Sequence, residues 1–260
     1  MAAASRMPIG LQLYTVRELA ERDLPAVLKK VRAIGYEEVE LYGESYKLPA
    51  KDLRALIAAN GLRAPSGHFG YEALEGKFDY AKELGLSWIV CPMLPDGQRK
   101  SLEGFHKAAA QFNEWGKRAQ AQGQRFAFHN HNYEFKSYDG KTGYEVLVAE
   151  TDPALVWFEV DCYWVAQAGI DPAAMIRKMG ERVKLIHLKD RKPDVATSQE
   201  LNADAGHFAP VGKGTLDWRS ILAGARQMGV EHYFVEQDKT DGPEFEAVRE
   251  SYVYLRSLMG

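Results

Sequence analysis

Cysteine is scarce: Cys91 and Cys162 are the only two in 260 residues, and each sits inside an apolar run. That count excludes a disulfide framework and a thiolate metal site, and reads as two buried thiols in a cytoplasmic protein. No apolar run approaches the roughly 18 residues that span a bilayer, so a helical membrane protein is excluded. Residues 1–8 are small and polar, with no charged region ahead of an apolar core. They are expected to form a short N-terminal extension and not a signal peptide. Positive charge is not in excess either. Lys and Arg total 33 against 36 Asp and Glu, a net charge of −3. Proteins that clamp a phosphate backbone carry a basic face, so nucleic acid is not an expected partner. Glycine-rich phosphate motifs of the G-x-G-x-x-G and Walker types are also missing.

What is present is alternation. Eight short β-branched or aromatic runs, at residues 9–14, 38–42, 63–68, 87–91, 125–129, 155–161, 183–187 and 232–236, look like strands buried on both faces. Between most of them lie stretches with helical period, at 24–34, 51–60, 73–84, 101–123, 143–150, 172–179 and 218–228. Gly35, Gly61, Gly85, Gly123 and Gly229 stand where several of these stop. Hairpin signals are missing, so the strands are expected to be parallel and joined by helical crossovers. Eight such units over residues 9–260 predict one (β/α)8 TIM barrel. The rival, an open doubly wound sheet, announces itself with a glycine-rich turn after its first strand. Tyr14-Thr-Val-Arg-Glu18 follows here instead.

In a barrel of this kind the C-terminal strand ends converge on the mouth where chemistry is done. The last four runs each end in an ionisable or metal-capable group. They are Phe126-Ala-Phe-His129-Asn-His131-Asn-Tyr-Glu134, Val156-Trp-Phe-Glu-Val-Asp161, Val183-Lys-Leu-Ile-His187 and His232-Tyr-Phe-Val-Glu236. An isolated carboxylate after an apolar strand is costly to bury, and a shared divalent cation offsets that cost. Mixed carboxylate and imidazole donors suit Mn, Mg, Co, Zn or Fe. Each residue also has a plainer role open to it: Asp161 as a helix cap, Glu236 as a partner of Lys189, His187 as a hydrogen-bonded core histidine. Periodicity leaves both His129 and Glu134 open as the fifth-strand donor. His68, Glu40, Tyr14, Trp164, His129 and His207 are candidate substrate contacts, the two aromatics as walls for a sugar ring. Lys189, two residues after His187, points into the mouth as a donor to an oxyanion or hydroxyl. His106 and His232 fall off the mouth in this register.

The segments Ile9-Gly-Leu-Gln-Leu-Tyr-Thr-Val-Arg17, His129-Asn-His131-x-x-Glu134-Phe135, His187-Leu-Lys-Asp190, Gly212-x-Gly214-x-x-Asp217-Trp218 and Phe234-Val-Glu-Gln-Asp238 resemble the sugar phosphate isomerase/epimerase family. These are xylose isomerase-like TIM barrels related in fold to endonuclease IV, and the resemblance spans nearly the whole chain. It implies one divalent cation held by Glu134, Asp161, His187 and Glu236, with His129 as the alternative to Glu134. It also implies chemistry on a sugar, keto-sugar or cyclitol. The implied reaction is proton abstraction beside a metal-polarised carbonyl, with Glu134, Glu236 and His131 as candidate bases and Lys189 steadying the oxyanion. Isomerisation or epimerisation is the first expectation. Elimination from an inosose or 3-keto-glycoside is its alternative. A phosphodiesterase and a non-catalytic sugar-binding barrel are weaker rivals, and a homodimer is compatible with the fold.

Overall fold

The computed structural model describes residues 7–201 and 207–260. Residues 1–6 of the expected extension lie outside them, while the Met7 carbonyl accepts from the Arg256 guanidinium at 2.9 Å. Eight strands close a parallel barrel: β1 Gly10–Gln12, β2 Glu38–Leu41, β3 Arg63–His68, β4 Trp88–Cys91, β5 Arg125–His129, β6 Val156–Asp161, β7 Val183–Leu188 and β8 His232–Val235. Each pairs with its sequence neighbours, and β1 pairs with β8 to complete the ring. Around it run α1 Arg17–Ile34, α2 Ala50–Ala59, α3 Tyr71–Leu74, α4 Phe78–Leu84, α5 Leu102–Ala121, α6 Gly143–Glu150, α7 Cys162–Gln167, α8 Pro172–Met179, α9 Trp218–Gln227 and α10 Glu244–Met259. The expected TIM barrel is the fold observed.

Local chemistry explains where the elements depart from the periodic reading. The first strand stops at Gln12, because its side-chain oxygen accepts the Tyr14 N–H at 3.1 Å and starts a 3-10 turn. Tyr14 therefore stands in a loop and not on the strand. The stretch 73–84 is two helices, interrupted between Leu74 and Phe78 where Gly76 lies. The first helix begins well before residue 24. It breaks at Asp23, whose φ of −155° leaves the helical region just ahead of Pro25, and whose carboxylate caps Ala26 at 2.9 Å.

Packing follows the two periods. Helix α5 buries Phe105, Ala108, Phe112, Trp115 and Ala119 against the strands, each large side chain contributing about 1.5–3 kcal/mol of transfer free energy. Both cysteines are buried and unpaired. Inside the barrel, alternate residues of each strand point inward and build layers. A lower plug consists of Trp88, Val90, Ala127, Leu185 and Phe234, with Trp157 packed on it. Gly10 is required beside it, because a Cβ there would run into the Phe234 ring. Two residues further along β6 and β7 the interior turns polar at Glu159 and His187, joined by Glu40 of β2 and Ser66 of β3, all four buried.

The loop after β7 is tied by one carboxylate. Asp190, fully buried, accepts from the N–H groups of Gly212 at 2.8 Å and Gly214 at 3.2 Å and from the Trp218 indole at 2.7 Å. Its second oxygen takes the N–H of Arg191 and of Leu216.

Candidate active site

The mouth is a cavity of about 480 Å³ whose lining includes Tyr14, Tyr42, His68, Met93, His129, His131, Trp164, Lys189, Leu201, Glu236 and Asp238. At its floor one donor atom from each of His129, Asp161, His187 and Glu236 lies within 4.8 Å of every other. Four successive strands deliver them: β5 and β6 in their last residues, β7 one before its end, β8 one after.

Each donor is prepared by its neighbours. The His129 Nδ1–H donates to the Pro92 carbonyl at 3.2 Å, which leaves Nε2 as the nitrogen that faces the other donors. That Nε2 is buried without a hydrogen-bond partner and stands 3.4 Å from Asp161 Oδ2, which also faces the Lys189 ammonium at 3.0 Å. Asp161 splits its oxygens, with Oδ1 capping α7 by accepting the Trp164 N–H at 3.0 Å. His187 turns Nδ1 toward Glu236 at 2.9 Å and Nε2 toward Glu40 at 2.6 Å. Burial pushes the Asp161 and Glu236 carboxyls up, but Lys189 and the neighbouring histidines outweigh it and hold both well below the carboxylate range. Two imidazoles, one with an unpartnered buried nitrogen, and two buried carboxylates held anionic fit a divalent cation at that point. His129, Asp161, His187 and Glu236 are the residues that would hold it.

At β5 the structure therefore favours His129 over Glu134. Glu134 is fully buried, and both its oxygens accept the His131 N–H, at 3.1 and 3.0 Å. It joins neither the four-donor group nor the cavity lining. The reason is where the strand ends. Beyond His129 the chain turns into a 3-10 segment, Tyr133–Phe135, which carries Glu134 away from the mouth. Burial pushes its carboxyl up to about 8.

The other expected residues divide. Lys189 is buried between Asp161 at 3.0 Å, Glu236 at 2.6 Å and Asp238 at 2.7 Å. Burial alone would neutralise it, but these three carboxylates hold its ammonium charged. His131 lines the cavity with Nδ1 unpartnered. Burial, His129 and Lys189 pull it well below the usual imidazole range, so it is neutral. His68 lines the cavity too, its ring centroid 5.1 Å from that of His129, while the His131 ring lies 5.0 Å from His129. Burial pulls His68 down, but Glu40 and Glu159 beside it win and raise it to about 9. Tyr14, 38% exposed, and the buried Trp164 both line the cavity. Glu40 is corrected: it lies beneath the mouth, fully buried and outside the lining. His207 does not line the cavity; its carbonyl pairs with the Lys192 N–H, and its Nδ1 is buried without a partner. His106 meets Glu150 on the outer surface and His232 meets Glu38 at the opposite rim. Sequence reasoning missed Glu159 and Asp238. Both sit two residues from a recognised group, Asp161 and Glu236, and the period of two was the available signal.

The model of the xylose isomerase-like TIM barrel family matches residues 28–258, and the chain belongs to that family. An inosose dehydratase from Clostridium beijerinckii is 22% identical over 290 residues, covering 97% of this chain and 96% of that protein. The structure of a sugar phosphate isomerase/epimerase from Parabacteroides distasonis aligns with a TM-score of 0.80 at 26% identity, over 99% of this chain and 96% of that one. The IOLI protein, solved with a bound zinc atom, aligns with a TM-score of 0.72 at 15% identity, over 97% and 98%. That last likeness is one of fold alone. Among the described residues no helix is long and apolar enough to cross a membrane.

Proposed function

We propose that this protein is a divalent-metal-dependent lyase that eliminates water, or another β-leaving group, from a keto-cyclitol or keto-sugar. The observation that carries this reading is the convergence of His129, Asp161, His187 and Glu236 on one point at the floor of a mouth cavity. Curated relatives named inosose dehydratases, matched over nearly the whole chain, favour elimination over the isomerisation expected first. The sugar phosphate isomerase/epimerase from Parabacteroides distasonis supports the second reading, in which the proton returns to carbon and nothing leaves.

His129, Asp161, His187 and Glu236 would hold the cation, Mn, Mg, Co, Zn or Fe, which would supply Lewis acidity at a substrate carbonyl. The protein's own residues do the rest. Neutral His131 takes the proton from the carbon beside the carbonyl. Lys189, fixed by three carboxylates, donates to the oxygen on which charge builds. The electron pair left on carbon forms the new double bond as the β-hydroxyl departs, and His68, which also lines the cavity and is held charged by Glu40 and Glu159, gives that hydroxyl its proton. One C–H and one C–O bond break and one water is released. Trp164 and Tyr14 position the ring.

The test is a deuterium-exchange screen of the metal-loaded protein against inososes, 3-keto-glycosides and keto-sugars in heavy water. Elimination predicts an unsaturated ketone together with loss of the leaving group. Deuterium retained beside a carbonyl in an intact product indicates the second reading, and no reaction across all three classes defeats both. Glu236→Gln is expected to abolish turnover while leaving the far-ultraviolet circular dichroism of the barrel unchanged. Wild-type turnover in that variant removes Glu236 from the machinery.

A further inference from the structure

Below the four-donor group lies a second buried cluster of Glu40, His68, Glu159 and His187, which shares His187 with the first. We propose that Glu40 is the positioning residue of the cation site. Its carboxylate receives the Nε2 proton of His187 and so fixes the ring with Nδ1 presented to Asp161 and Glu236. The inference rests on the metal reading above, and the geometry that supports it is specific.

Glu40 Oε2 stands 2.6 Å from His187 Nε2, while Nδ1 on the other side of the ring faces Glu236 at 2.9 Å and Asp161 at 3.6 Å. Glu40 is not free to serve a substrate. Gln12 donates to it at 2.9 Å, Ser66 donates through its hydroxyl, and the residue is fully buried beneath the cavity. Three strands, β1, β2 and β3, thus hold one carboxylate rigidly behind a histidine of β7. A ligating histidine whose second ring nitrogen is bound by a carboxylate is locked in tautomer and orientation, and loss of such a partner weakens metal affinity about 10- to 100-fold. The cluster also divides its proton donors. His68 Nε2 lies 2.7 Å from Glu159 but 3.3 Å from Glu40, and His187 Nε2 lies 3.3 Å from Glu159. Glu40 therefore belongs chiefly to His187 and Glu159 to His68, each imidazole backed by its own carboxylate.

The experiment measures Zn²⁺ affinity and stoichiometry by chelator competition on the full chain, wild type and Glu40→Gln. It is joined by nitrogen-15 spectra of the histidine rings in the metal-free wild type. Expected are one ion per wild-type chain, a loss of affinity of about 10- to 100-fold in Glu40→Gln, and a proton on His187 Nε2. Unchanged affinity in a folded Glu40→Gln overturns the proposal. So does a stoichiometry of two, because Glu40 would then be a ligand of a second ion. Should Glu40→Gln fail to fold, Ser66→Ala removes one of the donors fixing Glu40, and a smaller loss of affinity is expected; an unchanged value overturns the idea. A wild-type chain that binds no Zn²⁺ defeats the metal reading instead. The His187 spectrum still decides the orienting role in that sample, since an Nε2 without its proton rules Glu40 out.

Discussion

Glu134 shows how much one residue's surroundings decide. The same carboxyl that looked like a ligand in the sequence is sealed under the loop after β5 and raised from an ordinary 4.5 to about 8. The folded chain keeps that proton through a range where the unfolded chain has released it. Stability is therefore lost as pH rises from about 4.5 to about 8. Glu134→Gln has no proton to lose there, and its advantage over wild type should widen by at most about 1.4 kcal/mol per pH unit in that window. Urea unfolding at pH 5 and pH 8 measures it, and an equal difference at both values excludes Glu134 as the source. At this scale the sequence was a partial guide. Asp161, His187 and Glu236 were legible because a carboxylate or imidazole ending an apolar strand has few inexpensive surroundings. The alternatives weighed against ligation were real as well: Asp161 does cap α7 and Glu236 does pair with Lys189. The choice between His129 and Glu134 was not legible, since periodicity does not say at which residue a strand stops being a strand.

At the scale of elements, both-face burial made the eight strands readable almost to the residue, and the helical stretches read at 143–150 and 172–179 coincide with α6 and α8. What escaped were features set by tertiary contacts or by one side chain. The break between α3 and α4, the kink at Asp23 and the early end of β1 at a glutamine cap are of that kind. The segment from Gly212 to Trp218 belongs here too. Its two glycines admit backbone N–H groups to the Asp190 carboxylate, and a Cβ on Gly214 would collide with that carboxylate. Removing the acceptor leaves several buried donors unsatisfied at about 1–3 kcal/mol each. Asp190→Ala should therefore lower the unfolding free energy by about 3 kcal/mol or more. A urea midpoint within error of wild type would show that the loop needs no such anchor.

For the molecule as a whole, a cation held by the four donors of the proposed site would also be a clasp on the barrel. Binding restricted to the folded state adds stability by mass action, about 2.7 kcal/mol at a hundredfold excess over the dissociation constant. Melting of the chelator-stripped protein should rise on adding Mn²⁺ or Zn²⁺, and by less in Glu40→Gln at the same concentration. A melting temperature indifferent to both ions counts against the four-donor site.

The apolar plug of Trp88, Val90, Ala127, Leu185 and Phe234 stops the bore of the barrel below the polar floor. Among the described residues the bore is closed at that end, so a ligand held at the floor comes and goes past Tyr14 and Trp164. Under the proposed elimination, spent product and fresh reactant would share that passage, and accumulation of the first would throttle arrival of the second.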